Sequence, residues 1–145
     1  MEFLSGQSLR DRLRQSQLPL ADALRFIETI AVALEAAHEK GIVHRDLKPD
    51  NIYLVEFKGT APQVKLLDFG IAKLLGNDGA RAERTRTGNL LGTPAYMSPE
   101  QARGHQVDHR TDVYALGCVA YEMFTGWLPF PADNAADMKI GRAHV

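Results

Sequence analysis

The chain has 145 residues, 45% of them apolar and 24% charged, which is enough for one domain with a sizeable core. A formal net charge of −1 gives no broad electrostatic pull toward nucleic acid or an anionic membrane, and no apolar run approaches the roughly 18 residues of a membrane span. The single cysteine, Cys118, excludes an internal disulfide and fits a reducing compartment.

Met1-Glu2-Phe3-Leu4 lacks the basic-then-apolar pattern of a signal peptide. Ser8-Leu9-Arg10-Asp11 reads as an imperfect capping box that opens a short helix running through Arg14. From residue 20 to about 39, Leu24, Ile27, Ala31 and Leu34 recur three and four apart. That spacing predicts an amphipathic helix with one buried stripe, entered after Pro19 and closed by Gly41. His38, near its end, reads as a solvated residue compatible with the helix dipole and without a chemical role. Residues 52–55 and 64–67 are short β-prone runs separated by Gly59-Thr60-Ala61-Pro62, and predict a small antiparallel pair.

Between Asp68 and Glu100 the chain turns polar, with Gly76, Gly79, Gly88 and Gly92. A loop of that length inside a compact domain is usually functional. Residues 111 to about 125 carry Val113, Leu116, Gly117, Ala120, Tyr121 and Phe124, apolar on more than one face, and predict a buried central helix ended by Gly126. Cys118 on it reads as a small core residue. Trp127-Leu128-Pro129-Phe130 follows as an apolar turn. The run from Lys139 continues no earlier pattern: Ile140 to Val145 can be written back as ATC GGA AGA GCA CAC GTC, which reads as a translated sequencing-library adapter, the alternative being a genuine polar tail. Residues 139–145 are therefore set apart as a scar, and residues 1–138 as the domain.

The chemistry is concentrated in His44-Arg45-Asp46-Leu47-Lys48-Pro49-Asp50-Asn51, with a second acid at Asp68-Phe69-Gly70. Two carboxylates and an amide on loops braced by paired strands suit magnesium, which takes a few hard oxygen ligands and leaves its other positions to water and phosphate. With Ser98-Pro99-Glu100 following in order, these strings resemble a serine/threonine protein kinase of bacterial type. The resemblance implies an α+β, mainly α fold: a partial kinase large (C-terminal) lobe with a small antiparallel β pair. The glycine-rich phosphate loop, the strand lysine of the Val-Ala-Ile-Lys type and the partner glutamate helix have no counterpart in these 145 residues and are expected upstream of Met1. The closing helices, with the arginine that pairs with Glu100, are expected downstream. The chain alone is accordingly expected to be inactive.

The resemblance also implies roles. Asp46 would take the proton of the attacking substrate hydroxyl, and Lys48, which points to serine and threonine substrates, would steady the γ-phosphate of ATP. Asn51 and Asp68 would hold magnesium. Met1-Glu2-Phe3-Leu4-Ser5-Gly6 resembles the hinge between lobes, where the Glu2 carbonyl and Leu4 amide would bind the adenine edge. Tyr53 falls where an apolar floor lies under the adenine, although a core strand tyrosine reads equally well. Arg45 beside Asp46 would anchor a phosphorylated loop, with Thr85 and Thr87 as the phosphosites. Thr93, in Gly92-Thr93-Pro94-Ala95-Tyr96-Met97-Ser98-Pro99-Glu100, would belong to the substrate-docking end of that loop. Asp112 would accept hydrogen bonds from the backbone of His44 and Arg45, and His44 and Phe69 would pack as spine residues.

ATP and Mg2+ are the implied cofactors and protein substrates the implied partners, with no nucleic acid. The implied location is the cytoplasm, with membrane tethering only through segments outside this chain. The rival reading is a pseudokinase or partner-docking module, against which the intact Asp46, Lys48, Asn51 and Asp68 argue.

Overall fold

Ser8 sets where the first helix begins. Its hydroxyl oxygen accepts from the Asp11 backbone N–H at 3.0 Å and donates to the Asp11 carboxylate at 2.7 Å, so helix α1 (Leu9–Gln15) opens on the capping pair its sequence predicts. The computed structural model describes residues 5–69 and 94–130. Ahead of α1, Gly6–Ser8 forms a strand, β1, which the sequence pattern does not predict. It pairs antiparallel with β2 (Ile52–Val55), Gly6 opposite Val55 and Ser8 opposite Tyr53. β2 pairs antiparallel with β3 (Gln63–Leu66), Ile52 opposite Leu66 and Val55 opposite Gln63. The expected pair is thus a three-stranded sheet, β1-β2-β3. Three residues are too few to show a period of two, and Gly6 permits the pairing by close approach. Its φ is 154°, and a Cβ there would stand 2.1 Å from the Leu54 carbonyl oxygen.

Helix α2 (Leu20–His38) follows Pro19 as predicted, and the chain turns out of it with the Gly41 N–H donating to the His38 carbonyl at 2.9 Å. Its buried stripe is Ala23, Phe26, Ile30 and Leu34, not the predicted Leu24, Ile27, Ala31 and Leu34. Leu24 is 53% exposed and Ala31 is exposed, while Ile27 is half-buried. The helix is apolar over more than one face, so two stripes one residue apart both satisfy the 3.6-residue period. Packing selects the stripe carrying the phenylalanine, since the larger ring removes more apolar area from water.

Ser98 caps a short helix, α3 (Pro99–Ala102), by a capping box with Gln101. Helix α4 (Arg110–Thr125) packs across α2 through Ala115, Cys118, Val119 and Met123. It ends, as predicted, at Gly126, whose φ of 77° is left-handed and whose N–H donates to the Glu122 carbonyl at 2.8 Å. Val113, Tyr121 and Phe124 are exposed, so α4 is buried along one stripe and not all round. Thr111, Asp112 and Glu122 share that inner stripe, and each of them hydrogen-bonds another element. The expected central helix therefore buries polar contacts as well as apolar ones. The core, with Leu9, Phe26, Ile30, Leu47, Ile52, Leu54, Val119 and Met123 at its centre, joins α1, α2, the sheet and α4. Among the described residues no helix is long and apolar enough to cross a membrane.

Candidate active site

The catalytic-loop string lies between α2 and β2, and its backbone is fixed by one buried carboxylate. Asp112, 1% exposed on α4, accepts the Arg45 N–H on Oδ1 at 2.9 Å and the His44 N–H on Oδ2 at 2.8 Å, as the resemblance implies. His38 makes a third contact, Nε2 to Asp112 Oδ2 at 2.7 Å. This corrects the expectation of a solvated histidine. At the end of α2, His38 is brought to α4 by the packing of the two helices, 74 residues apart, and no local signal announces it.

Arg45 has φ 66° and Asp68 has φ 53°, left-handed values that for residues with side chains cost about 1–2 kcal/mol each. At Arg45 the cost is met from both sides. Asp112 takes its N–H, and the Gln101 side-chain amide donates to its carbonyl at 2.8 Å. Gln101 is not among the residues that the kinase motifs single out, although Ser98 and Gln101 have the Ser-x-x-Gln spacing of a capping box, which marks the start of α3.

His44 is fully buried against Phe69, with ring centroids 4.8 Å apart, so both pack as expected. Its Nδ1 accepts from the Asp46 N–H at 3.3 Å, which leaves Nε2 to donate to the Leu67 carbonyl at 2.9 Å. The ring thus ties the catalytic loop to the residue before Asp68. A second tie runs from the Leu67 N–H to the Asn51 carbonyl at 2.9 Å. Asn51 and Asp68 therefore sit at the joined ends of β2 and β3, the separation that the strand pair is expected to fix.

Asp46 presents a side chain that is 55% exposed. Its Oδ2 lies 3.3 Å from Lys48 Nζ and accepts from Asn51 Nδ2 at 3.1 Å, while the Asp46 carbonyl accepts from the same nitrogen at 2.8 Å. The Asn51 amide nitrogen is thereby committed to Asp46, and among the described residues no donor takes its side-chain oxygen Oδ1, which is a hard donor. An amide oxygen and the Asp68 carboxylate form a donor set that fits magnesium. Tyr53, half-buried in mid-β2, lies beside Gly6 and opposite Ser8 and Lys65. The structure thus brings together Arg45, Asp46, Lys48, Asn51 and Asp68, with Tyr53 one strand position beyond Ile52. Glu2, Leu4, Thr85, Thr87 and Thr93 lie outside the described residues.

The His44–Asn51 loop, the acid Asp68 and the turn leading to Ser98-Pro99-Glu100 thus stand on one mainly helical unit, in the order of the protein-kinase motifs. The family model for the protein kinase domain matches residues 1–144, and the chain belongs to that family. It is 49% identical over 97% of its length to the serine/threonine-protein kinase Pkn1 of Myxococcus xanthus, and 46% identical over 93% to pkn3 of the same organism. To the probable serine/threonine-protein kinase PknB of Bifidobacterium longum it is 45% identical over its full length. The chain spans a fifth to a quarter of the length of these relatives. Protein kinases generally use ATP and magnesium.

Proposed function

We propose that the protein of which this chain forms part transfers the γ-phosphate of ATP to serine or threonine hydroxyls of protein substrates. The observation that carries the reading is the convergence of the Lys48 ammonium and the buried Asn51 amide on the exposed Asp46 carboxylate, with Asp68 tied to the same loop through Leu67. In phosphoryl transfer the protein mainly positions reactants and offsets charge. Asp46 accepts the proton of the substrate hydroxyl, and its exposure leaves room for that hydroxyl to approach. Lys48, already beside Asp46, supplies a compact positive charge for the γ-phosphate. Asn51 and Asp68 would hold magnesium, which would supply positive charge to offset that of the phosphates. Glu2 and Leu4 bind the adenine edge, Tyr53 lies under the ring, and Thr93 contributes to substrate docking. Catalysis is placed in the cytoplasm, with membrane tethering only through other segments of the protein.

The test is a chimera in which this chain replaces the matching segment of Pkn1 from M. xanthus. With ATP and magnesium it should label serine and threonine of a generic basic protein such as myelin basic protein. A folded chimera that binds ATP and transfers no phosphate would overturn the reading in favour of a docking module.

The same reading makes Thr85 and Thr87 autophosphorylation sites that draw in Arg45. Among the described residues the Arg45 guanidinium has no carboxylate within ion-pair distance. A phosphate would supply a partner worth roughly 1.5–3 kcal/mol. That moves a loop equilibrium by about one to two powers of ten, enough for a switch. Mass spectrometry of the active chimera should find phosphate on at least one of the two threonines, and a T85A/T87A variant should lose activity. Full activity in that variant would remove the switch.

A further inference from the structure

Arg10, on α1, reaches three places that are far apart in the chain. Nη1 donates to Glu122 Oε1 on α4 at 2.6 Å, Nη2 donates to the Tyr96 hydroxyl, and Nε lies 3.5 Å from Asp50 Oδ2. The Tyr96 hydroxyl in turn donates to Glu122 Oε2, which closes a ring in which every donor faces an acceptor. Burial works against the charge on Arg10, but its hydrogen bonds to Tyr96 and Glu122 outweigh that and hold its pKa above the ordinary value. Burial, followed by the bond to Glu122, pushes the Tyr96 phenol above its ordinary range against the opposing pull of Arg10.

The placement of the partners gives the ring a use. Asp50 precedes Asn51 in the catalytic loop, and Tyr96 ends the 3-10 turn Pro94–Tyr96, directly after Thr93. Glu122 is fixed on α4, one helix with the Asp112 that holds the catalytic loop. One guanidinium therefore spans the catalytic loop and the docking turn and references both to the same helix.

We propose that Arg10 is a positioning residue for protein-substrate recognition, setting the spacing between the catalytic loop and the Pro94–Tyr96 turn. This rests on the kinase reading above, which makes that turn the docking end. Tyr96 fills its pocket with a ring, but its height and tilt depend on where its hydroxyl is held. A lysine offers a point charge and no planar fork, and cannot serve all three partners at once. Pure packing would not require charge here, because a buried ion pair can often be replaced by apolar residues of similar volume without loss of stability.

The experiment compares Arg10→Met, Arg10→Lys and Tyr96→Phe in the same chimera, with myelin basic protein and ATP varied separately. Arg10→Met should raise KM for the protein substrate about ten- to a hundredfold, the loss typical of hydrogen bonds to a charged group, and leave KM for ATP within about twofold. Tyr96→Phe should shift it the same way by less, and Arg10→Lys should fall between Arg10→Met and wild type. Equal rises in both KM values, or no rise for the protein substrate, would overturn the proposal. If Arg10→Met fails to fold, the Arg10→Lys variant is read by the same split. Hydrogen exchange provides an arm independent of activity: the Met97 amide, which donates to the Pro94 carbonyl at 3.2 Å, should exchange faster in the Arg10 variants. Unchanged exchange there counts against the proposal even if the wild-type chimera proves inactive, an outcome that bears on the kinase reading instead.

Discussion

Asp46→Asn should lower kcat of the chimera by at least about a hundredfold, the lower end of what a positioned general base contributes. Asparagine is nearly isosteric and keeps an oxygen where Asp46 Oδ2 accepts from Asn51. The stronger tie from Asn51, at 2.8 Å, goes to the Asp46 backbone carbonyl and is untouched by the substitution. The loop should therefore keep its shape, and ATP binding should survive, while the proton acceptor is lost. Lys48 also loses its carboxylate neighbour at 3.3 Å, but that pair is largely exposed on the aspartate side and worth under about 1 kcal/mol. The rate loss thus reports proton transfer and not structural collapse. Turnover and ATP affinity measured on one preparation decide the matter. A variant with near-normal kcat would remove Asp46 from its assigned role.

Asp112→Asn should strongly destabilise the fold around the His44–Asn51 loop. The carboxylate accepts from the His44 and Arg45 amides and contacts His38, and all of this occurs in a site that is almost fully buried. An amide retains one accepting oxygen and turns an NH2 group against backbone N–H donors, leaving at least one buried donor without a partner. Losing a hydrogen bond to a charged group costs roughly 1.5–3 kcal/mol, and the orphaned donor adds to it. Releasing Arg45 from its left-handed backbone returns at most about 1–2 kcal/mol. The loss is larger than the relief, so a net destabilisation of about 2–4 kcal/mol is expected by urea unfolding. Phosphotransfer should fall as well, because Arg45 is the residue before Asp46. An unfolding free energy within about 0.5 kcal/mol of wild type, with activity intact, would show that the loop is held by something else.

Much of this protein is settled by local sequence. Ser8 with Asp11, Pro19, Gly41 and Gly126 mark element ends by capping and turn chemistry that acts over four residues or fewer, and the structure places the ends of α1, α2 and α4 there. The residues from His44 to Asn51 are contiguous, so their grouping needs no folding to be legible. Asp68 is nearly so, since one hairpin returns it to Asn51.

Tertiary structure alone decides the rest, because it depends on which faces meet. The buried stripe of α2 shifts by a residue to carry Phe26, a choice that the helical period leaves open and packing closes. Gly6–Ser8 becomes a strand because β2 offers it an edge and glycine lets it approach. His38 meets Asp112 across 74 residues, and Arg10 meets Glu122 across 112. Such pairs leave no periodic trace in the sequence, since each is one polar side chain finding the single buried partner that the crossing of two helices or loops brings within reach. The chemistry of the site is written mainly in one stretch of chain, and the contacts of His38 and Arg10 that brace it appear only when α1, α2 and α4 are packed together.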